Sequence, residues 1–420
     1  MTAQECKLCL KKSLITLIDF GSNPRCIDYK ANNSKIKQDF FNFALGQCNV
    51  CGTLQLVKTI PEKYLLSKYN WIKNNEPDDH ADILAKIVLE CIEGNNSRVL
   101  FVSKYDKRVF DLVEACIGSR AYLLDPHSDL DIDKVNFGQA TIQDKVNPLA
   151  SRKLVDKLGK FDLIVTCRML EHAQNTNKFI SSLTKLLNQN GRLIIEVPDS
   201  TKSLLQGDVA MLWEEHCNYF TPESLRTSLQ YLGYRLNKYI GCYYPQEDAL
   251  IAVFQHENNN QIKEHNVGST VPTGEIAIGN IFVGKIRQLQ VSIFENLKNL
   301  KNEYGKIVVF GAGHRAIMFI NLLKIQDYIL CVIDDDQNKN GLMIPGTSLE
   351  IRESNFLQSR DDIGVCLLAI GVNAERNIIK ILNKKSKSPM KFFSISSDSR
   401  LSIYSKIFEQ EQVRSVFQVQ

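Results

Sequence analysis

The chain has 420 residues, enough for two or three domains, and its 44% hydrophobic and 23% charged content is ordinarily globular. A net charge of +4, spread along the sequence without any RNA- or DNA-reading motif, gives no reason to expect a nucleic-acid partner. The opening MTAQECKLCLKK lacks an apolar signal core, and no apolar run is long enough to span a membrane, so a cytoplasmic protein is expected.

Cys6-x-x-Cys9 and Cys48-x-x-Cys51 form two knuckles within a first domain expected over residues 1–66. Each presents two thiolates to one ion, and two such turns complete a tetrahedral site with no open position, hence a structural zinc. The gap between the pairs is longer than in common zinc ribbons. Cys26 and His80 could substitute as ligands but have no paired spacing. The other cysteines are scattered, mostly in apolar runs, the habit of reduced protein.

Residues 67–255 read as a doubly wound α/β domain. A tyrosine-rich segment at 64–71 (YLLSKYNW) precedes a helix expected over residues 79–91, with Ile83, Leu84, Ile87 and Val88 on one face. Residues 98–102 and 121–124 are buried strands, the second closing on Asp125. Such a strand-end carboxylate either accepts ribose hydroxyls or is a solvated turn residue. Residues 161–167 are a further strand, followed by a polar turn carrying Glu171 and His172. A helix with Phe179, Ile180, Leu183, Leu186 and Leu187 on one face follows, ended by Gly191. A strand at 193–197 is then stopped by Pro198. This βαβ unit puts Glu171, His172 and Asp199 beyond the carboxyl ends of its strands, where ligands bind. Residues 213–221 (WEEHCNYFT) then lead into a helix capped by Thr221 with Pro222 at its first position, and residues 234–254 make an antiparallel edge.

Residues 256–420 begin with a polar linker to about 273 and a long amphipathic helix over 276–304. A strand at 306–310 opens Gly311-Ala312-Gly313-His314-Arg315-Ala316, the start of a second Rossmann-like unit. Strands at 329–333, ending in Asp334-Asp335-Asp336, and at 365–370 continue it.

Paired CxxC knuckles, a Leu170-Glu171-His172 turn and the Glu215-His216-x-x-Tyr219-Phe220 motif, in that order, resemble the nucleotide-sugar C-methyltransferase family. Asp19-Phe20-Gly21 and Pro24 match its Gly-x-x-Pro segment. The resemblance implies an N-terminal zinc domain, a central S-adenosylmethionine domain and a C-terminal Rossmann-like domain set against a nucleotide-linked sugar rather than NAD. Alkylating a carbon requires proton removal beside a ketone, for which a histidine of near-neutral pKa is suited. By resemblance His216 is that base, with Glu215 beside it and His172 close to the substrate carbonyl. Tyr69 is the best match for a further family tyrosine, with Trp71 the alternative. Trp213 stands where the family has another tyrosine.

The chain departs from the pattern after its first strand. Residues 100–108 read LFVSKYDKR, without the glycines that let backbone approach a cofactor and with Phe101 in place of the usual acid. Ser103 and Asp106 are the polar residues left to serve the cofactor there, together with Asp125. Bulky side chains should crowd the methionine end, so either the loop takes another path or the cofactor is not bound in the family's way. Two other readings stand beside methyl transfer: cofactor-independent epimerisation of a ketosugar nucleotide, and a non-catalytic relative.

Overall fold

The computed structural model describes residues 3–32, 34, 38–72, 78–132, 139–244, 247–256 and 272–408. The linker expected at 256–273 falls almost wholly outside them.

The N-terminal part is antiparallel. Its strands are β1 (Gln4–Glu5), β2 (Lys12–Pro24), β3 (Lys30–Ala31), β4 (Phe40–Cys48) and β5 (Leu54–Leu56). Helix α1 (Ala81–Glu90) leads into β6 (Val99–Phe101), α2 (Lys107–Ile117), β7 (Ala121–Leu123), α3 (Pro126–Leu130), α4 (Gln139–Lys145) and α5 (Pro148–Leu158). The central unit is β8 (Phe161–Cys167), α6 (Thr176–Thr184) and β9 (Leu187–Asp199), with α7 (Thr201–Gln206) after it. Strand β10 (Asn218–Tyr219), α8 (Pro222–Gln230), β11 (Tyr234–Cys242) and β12 (Asp248–His256) complete this part. The long α9 (Thr273–Tyr304) leads to β13 (Lys306–Phe310), α10 (His314–Leu323), β14 (Ile329–Ile333), β15 (Leu342–Met343), β16 (Ile351–Arg352), β17 (Ile363–Leu368), α11 (Val372–Lys385) and β18 (Lys391–Ser394).

The central sheet has the order β11-β12-β9-β8-β6-β7, in which β12 runs antiparallel between β9 and β11. Strands β6 and β8 and the second half of β9 are buried on both faces, so they read as apolar runs without alternation. The C-terminal sheet, β16-β14-β13-β17-β18, is parallel throughout and follows the Rossmann order for its five strands. The fold is therefore α/β: a zinc-knuckle sheet, a class I methyltransferase-like doubly wound sheet and a second Rossmann-like sheet.

One expectation is corrected. Gly191 does not end a helix: α6 stops at Thr184, and Gly191 lies inside β9 at a break in register, where β8 pairs Phe161 with Leu187 and then Leu163 with Arg192. The Leu187 side chain folds back over this bulge, and its Cβ would stand only 3.0 Å from a Cβ at position 191. Glycine is there for space rather than for a helix cap.

Three contacts hold the parts together. Strand β10, from the methyltransferase-like region, pairs with β5 and becomes the edge of the N-terminal sheet. Strand β15 pairs with β3. The largest apolar cluster draws Phe20 and Leu45, Leu212 and Trp213, Phe282 and Ile286 of α9, and Ile307 and Tyr404 into one core.

Candidate active site

The four knuckle cysteines are buried with their sulfurs together: Cys6 and Cys51 Sγ lie 3.6 Å apart, Cys9 and Cys48 Sγ 3.5 Å. A tetrahedral zinc with sulfur ligands needs sulfurs about 3.8 Å apart, so the residues fit the ion. Donors already surround the thiolates. Gln55 Nε2 donates to Cys6 Sγ at 2.8 Å, and the backbone N–H groups of Val50 and Cys51 donate to Cys48 Sγ at 3.4 Å.

The loop after β6 follows its own path. Asp106 is fully buried, and its carboxylate accepts hydrogen bonds from the N–H groups of Val102 (2.7 Å), Ser103 (2.8 Å) and Cys167 (2.8 Å). Burial pushes this carboxyl up to about 7, against the downward pull of those bonds. Phe101 and Ser103 are buried as well. Backbone donors that a glycine loop would turn toward a cofactor are thus taken by the chain's own side chain, and these residues do not reproduce the family's cradle. Asp125 lies on the exposed rim, where its carboxylate caps α3 by accepting Ser128 N–H at 2.7 Å; that bond lowers its pKa. Asp199 is similarly occupied, accepting from the backbone N–H and hydroxyl of Thr201. Arg168, next in sequence to Cys167, has its Nε 2.8 Å from Glu196 Oε1, which His80 also approaches.

At the mouth of β8 the predicted histidines meet. His172 and His216 are in edge contact, ring centroids 4.8 Å apart, and Trp213 touches both at 5.6 and 5.1 Å. The atoms offered by Glu171, His172 and His216 all lie within 4.8 Å of one another. His172 Nδ1 is 3.0 Å from the carbonyl oxygen of Glu215. A carbonyl only accepts, so Nδ1 carries the hydrogen and Nε2 keeps its lone pair. It is therefore the backbone of Glu215, rather than its carboxylate, that orients an imidazole. The loop itself is pinned: Cys217 and Asn218 N–H donate to the Glu171 carbonyl at 2.7 and 3.1 Å, and Asn218 Nδ2 donates to the carbonyls of Leu170 and Ala173.

Burial lowers the pKa of His172 to about 3 and that of His216 well below the ordinary histidine value, His172, His314 and Arg168 adding to the second effect. Both rings are neutral near pH 7, and burial makes them weaker bases than the near-neutral histidine expected from the sequence. Tyr69 stands apart from this pair. Its hydroxyl donates to the Tyr29 carbonyl at 2.7 Å, and its ring lines a pocket with Arg25, Lys30 and Lys68. Tyr29 links that pocket to the second Rossmann-like unit, its hydroxyl donating to the Ala312 carbonyl at 2.5 Å.

Several contributors were missed from sequence. His314, read only as part of a glycine turn, stacks on Trp213 with centroids 5.0 Å apart. Glu214, passed over for Glu215, is buried and accepts Cys26 N–H at 2.6 Å. Asp334 closes the glycine turn from inside, accepting Ala312 N–H at 2.8 Å, and is paired with Lys339. Only the WEEH run could have flagged Glu214, and no local signal pairs residue 314 with 213.

Three family models match the chain in succession: a zinc binding domain over residues 6–65, a methyltransferase domain over 89–239, and a C-methyltransferase C-terminal domain over 253–394. The molecule is thus a methyltransferase, and the chain belongs to the three-domain C-methyltransferase family. These matches support S-adenosylmethionine as cofactor and, with the four-cysteine cluster, zinc. Among curated proteins none matches. Similar solved structures include a SAM-dependent methyltransferase from Aquifex aeolicus (14% identity, 47% of this chain, 99% of that chain, TM-score 0.28). The CcbJ methyltransferase from Streptomyces caelestis (11%, 45%, 100%, 0.29) and the N-methyltransferase NodS from Bradyrhizobium japonicum (14%, 43%, 100%, 0.26) are others. At these scores the likenesses add nothing to what the family models show.

Proposed function

We propose that the chain methylates a carbon of a nucleotide-linked deoxy-ketosugar in the cytoplasm, with His216 as the base. The contact between the neutral rings of His172 and His216 carries this reading. His216 takes the proton from the carbon beside the ketone, and His172, its tautomer fixed by the Glu215 carbonyl, faces the carbonyl side. Tyr69 holds the sugar from the neighbouring pocket, where Lys30 and Lys68 suit a diphosphate, while Arg25 there is already paired with Asp28. S-adenosylmethionine, when bound, supplies an electrophilic methyl group. Asp125 is the residue proposed to face it; Ser103 and Asp106, expected from the sequence to do so as well, are buried within the loop.

That occupied loop favours a second reading, in which the same base epimerises the ketosugar without a methyl donor. Calorimetry with S-adenosylhomocysteine separates the two. Binding is expected, and no heat at high micromolar concentration removes the methyl-transfer reading. Deuterium wash-in from solvent into a nucleoside-diphosphate 4-keto-6-deoxyhexose tests the base, since His216→Asn should abolish it. Wash-in that survives this change rules out His216.

A further inference from the structure

Besides the four cysteines, a second set of metal-ligating side chains comes together among the described residues. Glu171 and His172 stand in the turn after β8 and His216 in the loop before β10, and one ligand atom from each lies within 4.8 Å of the other two. Glu171 Oε1 and His172 Nε2 are 3.9 Å apart. Glu171 and His172 are each 2% exposed, whereas His216 is half-buried and the least enclosed of the three.

The hydrogen bonds around this set prepare it for a cation. A ligating imidazole usually donates its other ring N–H to a carbonyl or carboxylate, which fixes the ring and leaves one lone pair for the metal. His172 has that arrangement: the Glu215 carbonyl holds Nδ1–H at 3.0 Å, and the lone pair is on Nε2, the atom 3.9 Å from Glu171 Oε1. Both rings are neutral, so no proton has to be displaced before they bind. Arg168 works against a cation here, but Glu196 takes up its charge at 2.8 Å. Two nitrogens and one carboxylate do not suit magnesium or calcium, which take oxygen ligands, and they do suit zinc or cobalt. A tetrahedral ion about 2.1 Å from each ligand sets them about 3.4 Å apart. These three have to draw in around it, unlike the cysteine sulfurs already 3.5 and 3.6 Å apart, so the ion is held more weakly than the structural zinc.

We propose that Glu171, His172 and His216 form a second, exchangeable zinc site, and that filling it silences the base. The site itself stands on geometry alone; the silencing rests on the reading of His216 as base. The ion takes the lone pair with which His216 would accept the proton, so the substrate C–H bond stays intact while the ion is seated. Three protein ligands leave a fourth position open for water.

Full-length protein carrying one zinc per chain in the four-cysteine site is titrated with Co²⁺, whose visible bands report its ligands. One further ion per chain should bind, with nitrogen and oxygen bands in place of thiolate charge transfer. The His172 Nδ1–H proton, kept from exchange by the Glu215 carbonyl, should show a large paramagnetic shift. Glu171→Gln and His172→Ala should each weaken binding by at least the ~10–100-fold that loss of an outer-shell partner costs. The proton signal is read in the wild-type chain, so it decides even where a variant does not fold. No second ion, thiolate bands alone, an unshifted Nδ1–H signal with cobalt bound, or undiminished binding by both variants overturns the inference. Zinc at the same load should stop deuterium wash-in, with recovery on dialysis. Full wash-in with the ion seated removes His216 as the base and leaves the metal site standing.

Discussion

Asp106 illustrates how much one side chain can decide. Its two oxygens collect three backbone N–H groups at the end of β6 and β8, so the loop is held by a carboxylate where the family holds it open with glycine. Asp106→Asn puts an amide NH₂ against at least one of those donors, and leaving one buried N–H unmet costs about 1–3 kcal/mol. Urea denaturation should show that loss. The histidines carry two further predictions. Burial holds His216 well below the usual histidine pKa, so the acid limb of the wash-in rate should fall below pH 6.5. His314 is pushed down to about 3 by burial and then by the Arg315 charge. Between that value and an unfolded pKa of about 6.5, the unfolded chain binds a proton that the native fold refuses. Stability therefore falls as pH drops through this window, and His314→Asn should flatten the fall in melting temperature between pH 7 and pH 4. At this scale the sequence was partly legible. The LEH and EH motifs located His172 and His216, because local turns present them. The absence of glycine in residues 100–108 was visible, but not the inward turn of Asp106, which depends on a donor from Cys167 on another strand. Glu214 and His314 were illegible for the same reason: their partners lie far away in sequence.

Among elements, the apolar runs of β8, β13 and β14 were read with their observed limits, since strands buried on both faces announce themselves by composition. The two-residue β10 was not, because its only reason to be extended is β5 of the zinc-bearing sheet. That pairing sets Asn218 opposite Gln55, whose amide donates to Cys6 Sγ, and Asn218 lies two residues beyond His216. The zinc centre therefore braces the loop that carries the proposed base. Stripping zinc with a chelator should slow wash-in at least tenfold and lower the melting temperature, as read by metal analysis alongside the rate. Full activity in metal-free protein would sever this link.

For the whole molecule, the sequence suggested three parts in order, and the family models fall in the same order. What it concealed is that the largest core belongs to none of them alone. Strands of the zinc sheet, the segment before His216, the long α9 and the last sheet share one apolar interior, to which Ile403, Tyr404 and Ile407 contribute. Those residues leave the ribosome long after the zinc sheet and the central sheet are made. A nascent chain with only its first 256 residues made would still display Phe20, Leu45 and Leu212 to solvent, so stalled chains of that length should be cut by protease where finished protein is not. Synthesis rather than catalysis then becomes the exposed moment in this protein's life, and shielding of the emerging first half matters most until the segment carrying Tyr404 arrives.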